Sequence, residues 1–307
     1  MVAFAKKLVE GRGITETTAE SYINIFKQLN DGKSYANLGF LRKKEGVMAK
    51  IESYADSTQR STLGAVVSAL TLMKDKPSYK AIYNFYYERM EELTKKEKES
   101  KDTTEKTDTQ KANWMKWADV LAKRDELAKS VEGIGKSKLI TPTQWNTLLA
   151  YVLLSLYTYE PPRRNQDYQD LYVVKKWTDS MNKDKNYYDL STHKFIFHKY
   201  KTSKSHGVQE VSLADNKALQ DVLALYLKVH PHKKSAEYRF LVNADGSALS
   251  SVNSITRILN RIFGKQIGSS MLRHIYLSDK YDVKEMKEDA EKMGHTLAVQ
   301  REYMKAD

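Results

Sequence analysis

The residues from Ser270 to the end of the chain carry side chains in an order that suits attack on a phosphate. Arg273 comes first, Gly294 and His295 follow, and Tyr303 comes last. The planar guanidinium of an arginine holds a phosphate with two hydrogen bonds and keeps its charge. A tyrosine hydroxyl can attack phosphorus and form a covalent intermediate. This order predicts an enzyme that cuts DNA through a phosphotyrosine bond.

Each of these residues also has an ordinary interpretation. Arg273 lies in the first turns of a predicted helix that Ser269 or Ser270 would cap, and helix N-termini attract phosphate, but surface arginines are common. His295 follows a glycine that ends the preceding predicted helix, where a histidine often caps or packs. Tyr303 is one of 20 tyrosines. The prediction therefore depends on the order and spacing of the three residues together.

The composition favours a large anionic partner and excludes several kinds of site. The 307 residues carry a net charge of +12, with a pI of about 9.4. This surplus favours a polyanion, the alternative being a solvated lysine-rich surface. The chain has no cysteine, which excludes disulfides, a thiol nucleophile and cysteine-ligated zinc. There is no metal-ligand spacing, no Walker A motif and no GxGxxG motif, so we expect no metal and no cofactor.

The hydropathy pattern contains no signal for a membrane or for export. No run approaches the roughly 18 apolar residues that a membrane span requires, and no signal peptide opens the chain. The absence of cysteine fits a reducing compartment. We therefore expect an intracellular protein, in the cytoplasm or nucleus of a host, with no membrane partner.

Residues 1–93 are predicted to form a small helical domain with basic edges. Apolar side chains recur there at helical spacing, which indicates a helical core. Basic side chains lie between and beside these stripes, where they would contact the phosphates of a DNA duplex. The predicted DNA-binding residues are Arg42, Lys43, Lys44, Arg60 and Lys74.

Residues 94–139 are predicted to be a charged linker and a connecting helix. No apolar residue occurs from Thr94 to Lys111, a composition that favours a solvated, mobile segment, the alternative being an extension of the preceding helix. Trp114, Trp117 and Leu121 then share one face of a predicted helix.

Residues 140–307 are predicted to form a second, α+β domain, so the fold class is mainly α with a small antiparallel β-sheet. Thr141 and Pro142 are typical of a helix start. Strand-like segments cover residues 171–177, 194–199 and 208–213, with a polar hairpin turn at 201–207. Helices are predicted for most of the remainder.

At these residues the chain resembles the tyrosine recombinase (integrase) family. That family orders an Arg, a Lys in a β-hairpin, a His-x-x-Arg, a Gly-His and a nucleophilic Tyr. The segment from Pro162 to Tyr168 resembles the first-Arg box, with Asp167 on its acidic position, so Arg164 aligns with the catalytic Arg and Arg163 remains the alternative. The other matching residues are Lys201, Arg273, His295 and Tyr303.

The resemblance implies that the chain is a site-specific DNA recombinase or integrase, similar to those of viruses or mobile elements. Tyr303 would attack and form a 3′-phosphotyrosine, and Lys201 would protonate the leaving 5′ oxygen. Arg164, Arg273 and His295 would hold the phosphate. Double-stranded DNA would be the substrate, and a homotetramer would join two duplexes. The resemblance implies a core-binding domain for residues 1–93 and a catalytic domain for residues 140–307.

Two departures from the family pattern leave other functions open. Ser270 stands where the family has a His, while His274 belongs to the usual Arg-His pair, so Ser270, His274 and Asp167 are auxiliary candidates. The spacing from His295 to Tyr303 is also one residue shorter than is common. A type IB topoisomerase-like or resolvase activity is one alternative. A non-catalytic DNA-binding protein on the same fold is another.

Overall fold

The computed structural model describes residues 2–101, 106–136, 140–249 and 251–282, together with residues 286, 292 and 293. The chain forms two compact units, residues 1–105 and 106–307. It is mainly helical, and the second unit contains a small mixed sheet. Within the described part of the chain, no helix combines the length and the apolar character needed to cross a membrane.

The first unit consists of helices around one apolar core. Its elements are α1 (Val2–Arg12), α2 (Glu16–Leu29), a 3-10 helix (Leu38–Arg42), α3 (Lys44–Glu52), α4 (Asp56–Thr71) and α5 (Pro77–Lys101). α4 supplies the buried side chains of Leu63, Val66 and Leu70 and packs against α2, α3 and α5. The side chain of Tyr86 on α5 is buried, and its hydroxyl donates to the carbonyl oxygen of Leu41 at 2.9 Å.

The segment predicted to be a charged linker is partly helical. α5 continues to Lys101, because lysine and glutamate are good helix formers and an established helix extends at little cost. Residues 106–136 belong to the second unit, where they form α6 (Asp108–Asn113) and α7 (Trp117–Ser130). The second unit therefore begins before the predicted boundary at residue 140.

The remaining elements of the second unit alternate helices with short strands. They are α8 (Pro142–Thr158), α9 (Asn165–Gln169), β1 (Leu171–Val174), β2 (Asn186–Asp189), β3 (Lys194–Phe197), α10 (Ser203–His206), β4 (Gln209–Ser212), α11 (Lys217–Val229), β5 (Glu237–Arg239), α12 (Val252–Phe263) and α13 (Ser269–Lys280). The predicted start of α8 is confirmed, since Thr141 and Gln144 form a capping box ahead of Pro142. Residues of α8 such as Val152, Leu154 and Tyr157 are completely buried, which places this helix in the core.

The sheet is mixed, so the prediction of an antiparallel sheet is wrong. Its strand order is β4-β3-β2-β1-β5. β1 pairs with β2 in parallel, with Tyr172 opposite Tyr187, and the other pairs are antiparallel. β2 and β5 were not predicted, because neither segment shows a clear alternation of apolar and polar side chains. The chain between β1 and β2 crosses over, which makes the central pair parallel.

A buried histidine packs against β5 in the core of the second unit. The imidazole of His230 is 1% exposed and lies between Trp145, Tyr226 and Tyr238. Its Nε2 is 3.2 Å from the carbonyl oxygen of Phe240, and its Nδ1 accepts from the backbone N–H of His232 at 3.1 Å. These two partners assign the neutral tautomer that carries its proton on Nε2.

We expect acid to destabilise the second unit through His230. Burial lowers the pKa of His230 from 6.5 to about 4. Between pH 6.5 and about 4 the folded state therefore binds fewer protons than the unfolded state. The contribution of the neutral His230 to the free energy of unfolding is complete above pH 6.5 and is lost as the pH falls towards 4. At about 1.4 kcal/mol per pKa unit, the free energy of unfolding should fall by about 3 kcal/mol over the whole window, and by about 2 kcal/mol at pH 4.5.

Urea unfolding at about pH 7 and about pH 4.5, followed by tryptophan fluorescence, measures this loss. All 4 tryptophans lie in residues 106–307, so the signal reports the second unit. The control variant is His230→Gln, which cannot titrate and keeps an amide donor for Phe240. Protonation of carboxylates should lower the free energy of unfolding equally in the wild type and in the variant. An equal loss of stability in the wild type and the variant would contradict the assignment to His230.

Candidate active site

Three segments of the second unit meet around a cavity of about 340 Å³. They are the α8–α9 loop with α9, the connection from β3 to β4, and α13. The charged and polar side chains that line the cavity include Arg163, Arg164, Asp167, Thr202, His206 and Arg273. Three cations and one carboxylate in one concave site favour an anionic ligand.

The two prolines after α8 hold the arginine pair at the cavity. α8 ends at Thr158, and Pro161 and Pro162 prevent the helix from continuing. Arg164 then takes an extended conformation, with φ −75° and ψ 148°, immediately before α9. Consecutive residues of an extended segment point in different directions, so the two arginines receive different partners.

Arg163 is committed to structural contacts. Its Nε donates to Asp167 Oδ2 at 3.0 Å, and one terminal nitrogen donates to Gln209 Oε1 at 3.0 Å. Its guanidinium carbon lies 3.9 Å from the ring centroid of Phe197. These contacts fasten α9 to β3 and β4, and they use two of the five N–H donors of the guanidinium.

Arg164 has its donors available. It lines the same cavity, and its side chain makes no hydrogen bond or ion pair with any residue that the structure describes. This difference favours Arg164 over Arg163 as a ligand for an anion. The catalytic role of Arg164 stays a prediction.

Arg273 extends from the second turn of α13 into the cavity. Its Nε donates to the carbonyl oxygen of Ser269 at 3.3 Å. Burial lowers the pKa of Arg273, and the positive charge of Arg164 lowers it further. Because arginine keeps its proton near neutral pH, the repulsion between Arg164 and Arg273 persists until a bound anion relieves it.

Asp167 supplies the carboxylate of the cavity. Asp167 is 2% exposed. Its Oδ2 accepts a hydrogen bond from Arg163, and its Oδ1 has no hydrogen-bond partner among the described residues. Burial raises the pKa of this carboxyl, while Arg163, Arg164 and Arg273 oppose the shift. One carboxylate leaves the three arginines with a surplus of positive charge.

Two side-chain amides, the half-buried Asn165 and the buried Asn186, position the segments, and sequence reasoning missed both. Asn165 accepts from the hydroxyl of Tyr157 at 2.7 Å and donates to Thr256 Oγ1 at 2.9 Å. Asn186 donates to the carbonyl oxygens of Asp167 at 3.0 Å and Lys199 at 2.9 Å. Asn186 Oδ1 also accepts from the N–H of Lys199 at 2.8 Å. The available signal was weak: asparagine is uncommon in strands, and Asn186 begins β2.

The predicted hairpin is present, since β3 pairs antiparallel with β4, but its connection contains a helical turn that was not predicted. Residues 203–206 form the short helix α10, which ends at Gly207 with φ 65°. The hydroxyl of Tyr200 donates to the carbonyl oxygen of Gly207 at 2.8 Å and closes the turn. Lys201 is exposed and is absent from the described residues that line the cavity, whereas His206 lines it.

The auxiliary residues on α13 face away from its buried side. The N-cap is Gly268, and neither Ser269 nor Ser270 makes a side-chain cap, so that prediction is wrong. Ser270 and His274 are exposed, while Leu272 and Ile275 pack in the core. Burial of these two apolar side chains decides which face of α13 carries Arg273. His295 and Tyr303 lie outside the described residues.

The predicted DNA-binding residues lie on the surface of the first unit. Arg42 donates to the carbonyl oxygen of Ser78 at 3.4 Å, and its guanidinium lies 5.1 Å from the Tyr79 ring. Lys44 Nζ lies 4.7 Å from the ring centroid of Phe85. The remaining three predicted contacts, all exposed, are Lys43, Arg60 and Lys74. Contact with DNA stays a prediction for all five.

Comparison with models of protein families, with curated proteins and with solved structures finds no match to this chain.

Proposed function

We propose that this protein is a DNA strand transferase of the tyrosine recombinase kind, which cuts and rejoins DNA through a 3′-phosphotyrosine intermediate. The observation that carries the proposal is the cavity that holds Arg164 and Arg273. Their charges repel each other, and the side chain of Arg164 makes no hydrogen bond or ion pair with the described residues. A phosphodiester between them supplies the missing negative charge and accepts their forked hydrogen bonds.

The reaction proceeds by two transfers of the phosphate. Tyr303 attacks phosphorus, Arg164 and Arg273 stabilise the charge on the non-bridging oxygens, and His295 adds a third donor. A proton from the β3–β4 connection, where Lys201 is the predicted donor, allows the 5′ hydroxyl to leave. A 5′ hydroxyl of a partner strand then attacks the phosphotyrosine. The energy of the broken bond is kept in the ester, so neither ATP nor a metal enters the cycle.

The partners follow from the chemistry of exchange. Double-stranded DNA is the substrate, and exchange between two duplexes needs four active tyrosines, hence a homotetramer. The basic surface of the first unit, formed by Arg42, Lys43, Lys44, Arg60 and Lys74, contacts the backbone of the duplex. Integration of the DNA of a virus or mobile element is the proposed outcome.

Covalent trapping tests the proposal. The full chain is incubated in EDTA with duplex oligonucleotides that have a randomised core and with duplexes from the DNA that flanks its coding sequence. Denatured complexes are isolated, digested with protease and sequenced. DNA that carries a peptide on a 3′ phosphate through tyrosine supports the proposal. DNA that binds but never becomes covalent assigns the protein to non-catalytic binding.

Type IB topoisomerase-like activity is the second candidate. The observation that favours it is Ser270, an exposed residue where recombinases carry a histidine. A topoisomerase acts as a monomer on supercoiled DNA of any sequence, whereas a recombinase requires its own sites. Relaxation of a supercoiled plasmid that lacks the trapped sites, at a rate proportional to protein concentration, would favour the topoisomerase.

A further inference from the structure

In the proposed reaction, a group in the cavity must release a proton to the leaving 5′ oxygen. Most of the residues that line the cavity cannot do this. The three arginines keep their protons near neutral pH. The carboxyl of Asp167 is buried, and its Oδ2 pairs with Arg163. The hydroxyl of Tyr200 is already used on the carbonyl oxygen of Gly207. Thr202 and Gln209 carry a neutral hydroxyl and a neutral amide, which do not release a proton near neutral pH. Among the described lining residues, His206 remains, and an imidazole both gives and takes a proton near neutral pH.

The local backbone holds His206 at the cavity. Its N–H donates to the carbonyl oxygen of Thr202 at 3.1 Å, one of the backbone hydrogen bonds that form the helical turn of α10. Gly207 follows with a positive φ of 65°, a conformation that favours glycine, and Tyr200 fastens its carbonyl oxygen. The turn therefore directs the side chain of residue 206 into the cavity and leaves Lys201 exposed outside it.

The imidazole also remains open to a duplex. His206 is exposed, and no described residue makes a side-chain hydrogen bond or ion pair with it. The charged groups that share its cavity are Arg163, Arg164, Asp167 and Arg273. A phosphate held by Arg164 and Arg273 would therefore present its bridging oxygen to a side chain that is both free and able to protonate it.

We infer that His206, rather than Lys201, is the catalytic residue that protonates the leaving 5′ oxygen, an inference that rests on the proposed function. In cleavage, the Tyr303 oxygen bonds to phosphorus as the bond from phosphorus to the 5′ oxygen breaks. The phenolic proton passes to water, and the imidazolium of His206 gives its proton to the 5′ oxygen. In rejoining, the neutral imidazole takes the proton of the attacking 5′ hydroxyl, and the departing tyrosine recovers a proton from water.

Substituting sulfur for the bridging 5′ oxygen tests the role of His206 directly. The trapped site is resynthesised with a 5′-bridging phosphorothiolate, whose thiolate leaves without protonation. With ordinary DNA, His206→Ala should slow cleavage by about 10²–10⁴-fold. With the sulfur substrate, the variant should cleave within a few-fold of the wild type. Ser205→Ala is the matched control, since Ser205 is exposed in the same turn and does not line the cavity.

The outcomes separate this inference from the proposed function. Equal losses on both substrates, or no loss on either, would overturn the role of His206 while wild-type cleavage kept the proposed function. If the sulfur substrate restored cleavage by Lys201→Ala but not by His206→Ala, the lysine would be the proton donor and the inference would be overturned. Failure of the wild type to form a covalent complex on either substrate would overturn the proposed function, and the inference with it. Circular dichroism of each variant checks that the fold is intact.

Discussion

Tyr303→Phe is expected to abolish the covalent protein–DNA complex while leaving DNA affinity unchanged. The substitution removes only the phenolic oxygen, and that oxygen is the proposed nucleophile. Without it the 3′ phosphate has no atom to which it can be transferred. Loss of a nucleophile typically reduces turnover by at least about 10⁴-fold, which puts the remaining complex below detection. The arginines and the first unit are untouched, so the DNA contacts should persist.

Two measurements on the same preparation check this prediction. Denaturing electrophoresis of trapped complexes gives the covalent fraction, and fluorescence anisotropy of a labelled duplex gives the dissociation constant. Tyr281→Phe is the matched control, because Tyr281 is an exposed tyrosine that lies before Gly294 and His295. Persistence of the complex in Tyr303→Phe and its loss in Tyr281→Phe would assign the nucleophile to the wrong residue. If Tyr303→Phe lost DNA affinity and covalent complex to the same extent, Tyr303 would have a structural role instead.

Arg164→Ala and Arg273→Ala should each slow formation of the covalent complex by about 10³-fold, the scale of an arginine that stabilises a transferred phosphate. In the proposed reaction charge develops on the non-bridging oxygens during attack, and these two guanidiniums, which line one cavity, would stabilise it. The lysine variants Arg164→Lys and Arg273→Lys should recover only part of the rate, because an ammonium keeps the charge but lacks the planar fork. Single-turnover trapping on the selected duplex gives the rates.

Arg163→Ala provides the contrast that distinguishes the two neighbouring arginines. It would leave Asp167, which is buried, without its ion-pair partner, so the second unit should lose about 3 kcal/mol of unfolding free energy. Arg164→Ala should leave that stability unchanged. Urea unfolding followed by tryptophan fluorescence measures both. Arg257→Ala, on the exposed face of α12, controls for loss of a positive charge. A stable but inactive Arg163→Ala, beside an active Arg164→Ala, would reverse the assignment.

Local signals predicted the elements that depend on local interactions. The capping box of Thr141 and Gln144, with Pro142 at the first helical position, marks the start of α8, and the structure has that start. The apolar run that follows is buried on nearly all sides. Such features were readable because caps and helical periodicity involve residues within a few positions of each other.

Non-local contacts were not readable in the same way. The parallel pairing of β1 with β2 joins Tyr172 to Tyr187 across a crossover, and no short-range pattern encodes that partner. Two local features were also not predicted: the helical turn at Ser203–His206 within the β3–β4 hairpin, and Gly268 in place of a serine as the cap of α13.

For the candidate site, the sequence by itself determined which chemical groups are present and their order along the chain: the arginine pair, the carboxylate, the lysine, Arg273, His295 and Tyr303. Only the tertiary structure decided which of these groups share a cavity. Arg163 is held by Asp167, Gln209 and the Phe197 ring, which leaves Arg164 with its donors available. His206 lines the cavity, and Lys201 does not. The physical reason is that hydrogen-bond partners and burial depend on residues distant in the chain, so two adjacent arginines with the same chemistry make different contacts.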